Sequence, residues 1–185
     1  KAVELSKETN RLFRNADGPY YDTGNDGEVL LTRNAEGYDG VEPSGNSSLA
    51  HAFLRLSAYG LGPQYYGDAQ RIIQSFAPHL EQAGVSFSAM LGGLHFSLSV
   101  VKEVVISGRR GEADTELLLD ELRREYHPNI VVSFVENGGN PETEKVIPLT
   151  SGRAMVNDSA TAYVCQNQTC QIPVHSVEKL RELLA

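Results

Sequence analysis

The chain has 185 residues, of which 41% are hydrophobic and 22% are charged, a composition typical of a soluble globular protein with one domain or two small ones. Its net charge of -8 repels phosphate backbones and anionic lipids, so neither nucleic acid nor a membrane surface is an expected partner. No apolar run in the sequence approaches the roughly 20 residues that a membrane-spanning helix needs.

Four helices are predicted in the first half of the chain from the spacing of apolar residues. They cover about residues 2–14, 44–60, 68–83 and 86–99. The second begins at a Pro-Ser-Gly-Asn turn, and Gly92-Gly93 in the fourth permits the close approach of a neighbour. The first helix begins without a cap and the chain lacks an initiating Met, so we expect a piece of a longer protein.

The second half of the chain changes to the pattern of a βαβ unit. The predicted elements are a strand at 103–106, a helix at 114–126, strands at 130–134 and 161–164, and a helix at 177–184. Residues 136–160 are expected to form an irregular connection. The predicted fold class is therefore α+β, with helical hairpins over residues 1–101 and a small parallel βαβ unit over residues 102–185.

Two cysteines, Cys165 and Cys170, follow a predicted strand. Two are too few for a disulfide scaffold and suit a reducing compartment, which favours a cytoplasmic location. The pair is open to interpretation as a disulfide, as metal ligands, as an oxidant sensor or as two inert thiols beside a turn, the commonest case. Zinc takes about four ligands and only His175 is near in sequence, so we predict neither a metal site nor a cofactor.

Asp39 precedes the turn that opens the second predicted helix. Ser44 or Asn46 in this turn can cap the first free amides of the helix, and a helix N-terminus attracts ligand hydroxyls or carboxylates. Asp39, Ser44 and Asn46 are therefore candidate site residues. The alternative hypothesis is that Ser44 and Asn46 only cap the helix and that Asp39 only shapes the turn.

Tyr20, Tyr21 and Asp22 form a second candidate site in a loop rich in turn-forming residues. Aromatic faces beside a carboxylate suit the apolar face and the hydroxyls of a sugar ring. Asp22 and Asp39 could act as a catalytic acid and base if the fold brings them to a suitable separation. The competing interpretation is that both tyrosines pack in the core.

Three segments of the chain, taken together and in order, resemble a known family. They are Gly18-Pro19-Tyr20-Tyr21-Asp22-Thr23, the Asp39 to Ser47 segment D-G-V-E-P-S-G-N-S, and the Ala160 to Cys170 segment A-T-A-Y-V-C-Q-N-Q-T-C. The strand Lys102 to Gly108 adds to the match. On these residues the chain resembles the C-terminal part of the thioredoxin-domain-containing DUF255 family of spermatogenesis-associated, thioredoxin-like proteins.

The resemblance implies a larger architecture than this chain contains. In the family a thioredoxin-like domain precedes an (α/α) toroid similar to six-hairpin glycosidases and acylglucosamine epimerases, and an α/β segment follows. By this resemblance Asp39, Ser44 and Asn46 lie at the mouth of a central funnel. The family's redox motif has no counterpart here, because the chain contains no C-x-x-C.

The resemblance implies carbohydrate binding or processing, of an epimerase or glycosidase type, as the expected function. Asp22 and Asp39 are then the predicted catalytic residues, with Tyr20, Tyr21, Ser44 and Asn46 binding substrate. The alternatives are a redox-associated scaffold that binds a client, to which Cys165 and Cys170 would contribute, and a non-enzymatic interaction domain. Expected partners are a carbohydrate, the rest of the full-length protein with its thioredoxin-like domain, and further copies of this piece through exposed apolar surface.

Overall fold

Apolar residues at helical spacing in the first half of the chain form helices in a computed structural model, which describes residues 1–16, 18–28, 31–136, 141–167 and 169–185. The helices are α1 (Ala2–Phe13), α2 (Gly45–Ala58), α3 (Pro63–Ala83) and α4 (Ser88–Leu98). All four predicted helices are confirmed. Helix α3 begins earlier than predicted because Pro63 occupies its first turn, where a missing N–H costs no hydrogen bond.

The helices belong to one of two compact units, made of Lys1–Ser57 and Gly62–Leu98. Phe53 of α2 is fully buried at its centre, with ring centroids 5.8 Å from Tyr20 and 5.7 Å from Tyr65. The predicted close approach at the paired glycines is confirmed. A Cβ built on Gly92 would lie 3.3 Å from the His51 ring of α2, so α4 lies directly against that helix.

The second unit, Ala58–Leu61 and Ser99–Ala185, is built on a four-stranded sheet within the described residues. Its elements are β1 (Lys102–Gly108), α5 (Ala113–Arg124), β2 (Ile130–Glu136), α6 (Pro141–Val146), β3 (Thr161–Gln166), β4 (Thr169–Cys170) and α7 (Val177–Leu184). The strand order is β2-β1-β3-β4. β1 pairs in parallel with β2 and antiparallel with β3, and β3 pairs antiparallel with β4. The sheet is therefore mixed, and the α+β class is confirmed.

Alternate residues of β1 supply the cores on the two faces of this sheet. Val104 and Ile106 pack with Leu118 of α5 and Leu180 of α7. Val105 faces the other way and packs with Val135, Tyr163 and Leu149. Since side chains alternate along a strand, the uninterrupted apolar run from Val104 to Ile106 is explained by burial on both faces.

The connection after β2 is more regular than predicted. Residues 136–160 were expected to be irregular, but they contain α6 and a 3₁₀ turn at Pro148–Thr150. That prediction is wrong there, because Pro141 and Pro148 each begin a short helical turn. No helix within the described residues combines the length and apolar character needed to span a bilayer.

Candidate functional site

A cavity of about 410 Å³ opens in the first unit between α1, the loop after it and the start of α2. Its described lining residues are Thr9, Phe13, Tyr20, Tyr21, Asp22, Gly45, Asn46 and Leu49. Four of the six predicted ligand-contacting residues therefore line one cavity. Asp39 and Ser44 are not among these lining residues.

The loop that carries Tyr21 and Asp22 is fixed to the end of α1. The last carbonyls of a helix lack intrahelical partners, and here the loop supplies the donors. Tyr21 N donates to Phe13 O over 2.9 Å, and Asn25 N donates to Leu12 O over 3.0 Å. Arg33 Nη2 also donates to Leu12 O over 3.2 Å and to Thr23 O. Capping α1 thus places the predicted site residues over the cavity.

Asn46 joins the same loop to α2. Its Oδ1 accepts from Tyr20 N over 2.7 Å, and its Nδ2 donates over 2.9 Å to both Tyr20 O and Glu36 O. Asn46 is 1% exposed, so it forms the cavity wall with its side-chain amide already in use. Its role in the structure is to position the loop.

The two tyrosines have different surroundings. Tyr20 is 3% exposed and its hydroxyl donates to Asn10 Oδ1. Burial and the nearby charge of Asp68 raise the pKa of Tyr20 to about 12, so the hydroxyl stays protonated. Tyr21 is half-buried, and the Arg33 guanidinium carbon lies 4.1 Å from its ring centroid. The Arg33 contact orients the Tyr21 ring by a cation–π interaction.

Asp22 is the exposed carboxylate of the cavity wall. Its backbone N donates to Asn34 O over 2.8 Å, and its Oδ1 accepts from Glu36 N over 3.2 Å. An ionised carboxylate has two oxygens with about four acceptor positions, so Asp22 retains capacity for ligand hydroxyls. Gly45 and Asn46, which also line the cavity, lie in the first turn of α2, where backbone amides have no intrahelical acceptor.

Asp39 links the starts of two helices. Its Oδ1 accepts from Ser44 N over 2.9 Å, and its Oδ2 accepts from Ala89 N over 2.9 Å and Met90 N over 3.1 Å. Burial alone would raise the pKa of Asp39, but the donors, including the Ser47 hydroxyl, outweigh it and lower the pKa. The carboxylate is thus held ionised at the N-termini of α2 and α4.

Ser44 has the capping role that its position predicts. Its Oγ accepts from Ser47 N over 3.0 Å, which satisfies an amide of the first turn of α2. Ser44 is 8% exposed. The helix-capping interpretation therefore describes its contacts in the structure, and a ligand contact for Ser44 stays a prediction.

The two cysteines form a disulfide between β3 and β4. Arg153 Nη2 lies 2.8 Å from Cys170 Sγ and 3.7 Å from Cys165 Sγ. Within the described residues no cluster of three or more His, Cys, Asp or Glu side chains is arranged to hold a metal ion. A redox role for the pair stays a prediction.

Sequence reasoning missed four residues that shape these sites. Arg33 and Arg153 lie in irregular segments with no periodicity, so nothing in the sequence marked their partners. Thr9 and Phe13 were assigned only to a helix. The spacing of Thr9 and Phe13 by four residues, which puts them on one face of α1, is the signal that could have found them.

Comparison with known proteins identifies relatives along the whole chain. Spermatogenesis-associated protein 20 from human is 29% identical over 185 residues, which is 99% of this chain and 24% of the relative. The mouse and rat proteins of the same name are each 28% identical, again over 99% of this chain and 23% of the relative. No family model matches the chain. The chain spans about a quarter of the length of the curated relatives it matches, and its homologues are named spermatogenesis-associated protein 20.

Proposed function

We propose that the cavity of the first unit binds a neutral polyhydroxylated small molecule of the carbohydrate class. The observation that carries this proposal is the joint placement of Tyr21 and Asp22 in the wall of one cavity. A sugar ring has apolar C–H faces that pack on aromatic rings and hydroxyls that donate to a carboxylate. The cavity volume of about 410 Å³ falls within the range of small-molecule sites.

The polar groups around the cavity suit a ligand that both donates and accepts hydrogen bonds. Asp22 supplies hydrogen-bond acceptors, and Gly45 and Asn46 contribute the start of α2, where amides lack intrahelical acceptors, to the same lining. Thr9 adds a hydroxyl that does either. The Asp22 carboxylate in the wall repels a negatively charged ligand, so neutral sugars are favoured over phosphorylated or acidic ones.

In this proposal the two predicted catalytic residues have different roles. Asp22 contacts the ligand, and Asp39 is a positioning residue that holds the start of α2, where two of the lining residues lie. Catalysis by the Asp22–Asp39 pair stays a prediction. It requires Asp39 to give up amide hydrogen bonds before it can exchange a proton.

The proposed site would act within a larger protein, since the matched relatives are about four times as long as the aligned segment. The remainder of that protein, for which the family resemblance implies a thioredoxin-like domain, is its proposed partner. The whole protein would then combine ligand binding here with activity contributed elsewhere in the chain.

The test is calorimetric titration of the chain with a panel of neutral monosaccharides, disaccharides and polyols. Asp22→Asn is expected to weaken binding by about tenfold, because it removes a charge-assisted hydrogen bond. Tyr21→Ala is expected to weaken it by about fivefold through lost ring packing. Asp26→Asn, in the same loop, and Tyr126→Ala, at a ring that is 90% exposed, are the matched controls. Equal effects of test and control variants would refute the assignment.

A further inference from the structure

The disulfide of the second unit presents its two cysteines unequally. Cys165 lies in β3 and is 1% exposed, whereas Cys170 lies in β4 and is only half-buried. The two residues are cross-strand partners. An incoming thiol therefore meets Cys170 first, and Cys165 is shielded by the sheet. The rate of thiol–disulfide exchange depends on access to the attacked sulfur, so attack at Cys170 is favoured over attack at Cys165.

An arginine supplies positive charge to both sulfurs. Arg153 Nη2 is 2.8 Å from Cys170 Sγ and 3.7 Å from Cys165 Sγ. The guanidinium carbon also lies 5.3 Å from the ring centroid of Tyr163, the residue two positions before Cys165 on the same face of β3. A thiolate gains far more from a neighbouring cation than a neutral disulfide sulfur does. Arg153 therefore stabilises the reduced, thiolate form of the cysteine pair more than it stabilises the disulfide.

Glu103 pairs with Cys165 across β1 and β3, so its carboxyl belongs to the same face of the sheet as this group. Burial raises the pKa of the Glu103 carboxyl, against the opposing charge of Arg153. Arg153, whose guanidinium stays protonated throughout the ordinary pH range, holds its positive charge beside both sulfurs.

We propose that Cys165, Cys170 and Arg153 form a thiol–disulfide exchange site for a dithiol, with Cys170 as the exchanging cysteine and Arg153 as a positioning residue. A thiolate of the dithiol attacks Cys170 Sγ, so the bond between the two cysteines breaks and Cys165 leaves as a thiolate beside Arg153. The second thiolate of the dithiol then attacks its own mixed-disulfide sulfur and expels Cys170. The dithiol is oxidised to a disulfide, the cysteine pair gains two electrons, and the dithiol's protons pass to solvent or to the new thiolates.

The first experiment measures the equilibrium between the disulfide and dithiothreitol in the 185-residue chain, by alkylation and mass spectrometry. Arg153→Gln is expected to lower the equilibrium constant for reduction by about tenfold, which is about 30 mV for a two-electron couple. Arg153→Lys should recover most of this loss. Arg110→Gln is the control, because Arg110 lies over the Phe134 ring in the same unit and contacts no sulfur in the described residues. Equal constants for wild type and Arg153→Gln would overturn the role of Arg153.

The second experiment asks which sulfur exchanges, and it needs no change at Arg153. Cys165→Ser and Cys170→Ser are each incubated with glutathione disulfide, and the rate of glutathione addition is followed. Cys165→Ser, which retains Cys170, should react at least about tenfold faster than Cys170→Ser, because Cys165 is almost fully buried and Cys170 is more exposed. Equal rates, or faster reaction at Cys165, in variants with wild-type circular dichroism would overturn the proposal. This result is independent of sugar binding in the first unit.

Discussion

Asn46 engages both backbone groups of Tyr20, accepting from its N–H over 2.7 Å and donating to its carbonyl over 2.9 Å. This reciprocal pair mimics a strand hydrogen-bond pattern with a side-chain amide. It connects α2 to a residue that is 26 positions earlier in the chain. The loop bearing Tyr21 and Asp22 is therefore held to the cavity by a buried side chain that does not itself need to touch a ligand.

Replacing Asn46 should destabilise the first unit. Asn46→Ala leaves Tyr20 N, Tyr20 O and Glu36 O without their side-chain partner, and we expect a loss of about 2–4 kcal/mol in the free energy of unfolding. Urea denaturation of wild type and Asn46→Ala measures this loss in free energy. Ser48→Ala, at an exposed position of the same helix, should change stability by less than about 0.5 kcal/mol. A loss at Asn46 no larger than this control would contradict the positioning role.

The charge of Asp39 should contribute to stability in a defined pH range. Its pKa is lowered in the folded chain, so the folded state binds this proton less readily than the unfolded state, where the value is about 3.9. The contribution is complete above the unfolded pKa and is lost as pH falls through the lower folded pKa. Asp39→Asn should therefore be less stable at pH 7, and its stability should fall less steeply on acidification.

Asp26→Asn provides the control for Asp39, because it removes one negative charge from an exposed loop position. Unfolding free energies at a series of pH values between 7 and the acid limit of folding give the slopes. Parallel curves of unfolding free energy against pH for wild type and Asp39→Asn would show that the Asp39 carboxylate contributes nothing to the pH dependence of stability.

Tyr20 should make the first unit sensitive to alkali. Its pKa is raised to about 12 in the folded state, against about 10 for an unfolded tyrosine. The folded state holds the proton more tightly, so this contribution is present below pH 10 and is lost as pH rises towards 12. Tyr20→Phe should remove that part of the alkaline slope in unfolding experiments. An unchanged slope would mean that the hydroxyl ionises as freely in the folded chain as in the unfolded one.

Gly37 should tolerate no side chain. A Cβ at this position would lie 2.4 to 2.8 Å from three carbons of the Phe76 ring, and Phe76 is itself buried against Phe87. Gly37→Ala is expected to cost about 1–3 kcal/mol through overpacking. Gly27→Ala is the matched control, because no atom of the described residues lies within 4 Å of its built Cβ. In thermal unfolding, the Tm of Gly37→Ala should be clearly lower than that of Gly27→Ala.

Periodicity predicted the elements better than it predicted the contacts. Helices α1 to α5, helix α7 and the three longer strands follow from apolar spacing, because burial on one face or on both leaves a local pattern. Leu98 continues the apolar spacing from which its helix is predicted, yet it is 79% exposed. The apolar spacing of α4 thus extends beyond its buried residues, and the local pattern alone misassigns Leu98.

The candidate site depended on contacts that no local pattern reports. The sequence around Asp39 indicated a helix cap. The Oδ2 atom of Asp39, however, accepts from the amides of Ala89 and Met90, which are 50 and 51 positions further on. Four of the cavity-lining residues could be predicted because they lie in two short polar segments. Arg153, which meets the cysteines from an irregular segment, could not be paired with them without the fold.

Ligand binding at the cavity is tested by recording amide ¹H–¹⁵N spectra of the chain during titration with the neutral sugars. Saturable shifts should appear at Thr9, Tyr21, Asp22, Gly45 and Asn46, and should weaken in Asp22→Asn at the same ligand concentrations. The absence of saturable shifts from every sugar in the panel, or their confinement to residues outside this cavity, would contradict a carbohydrate site formed by Tyr21 and Asp22.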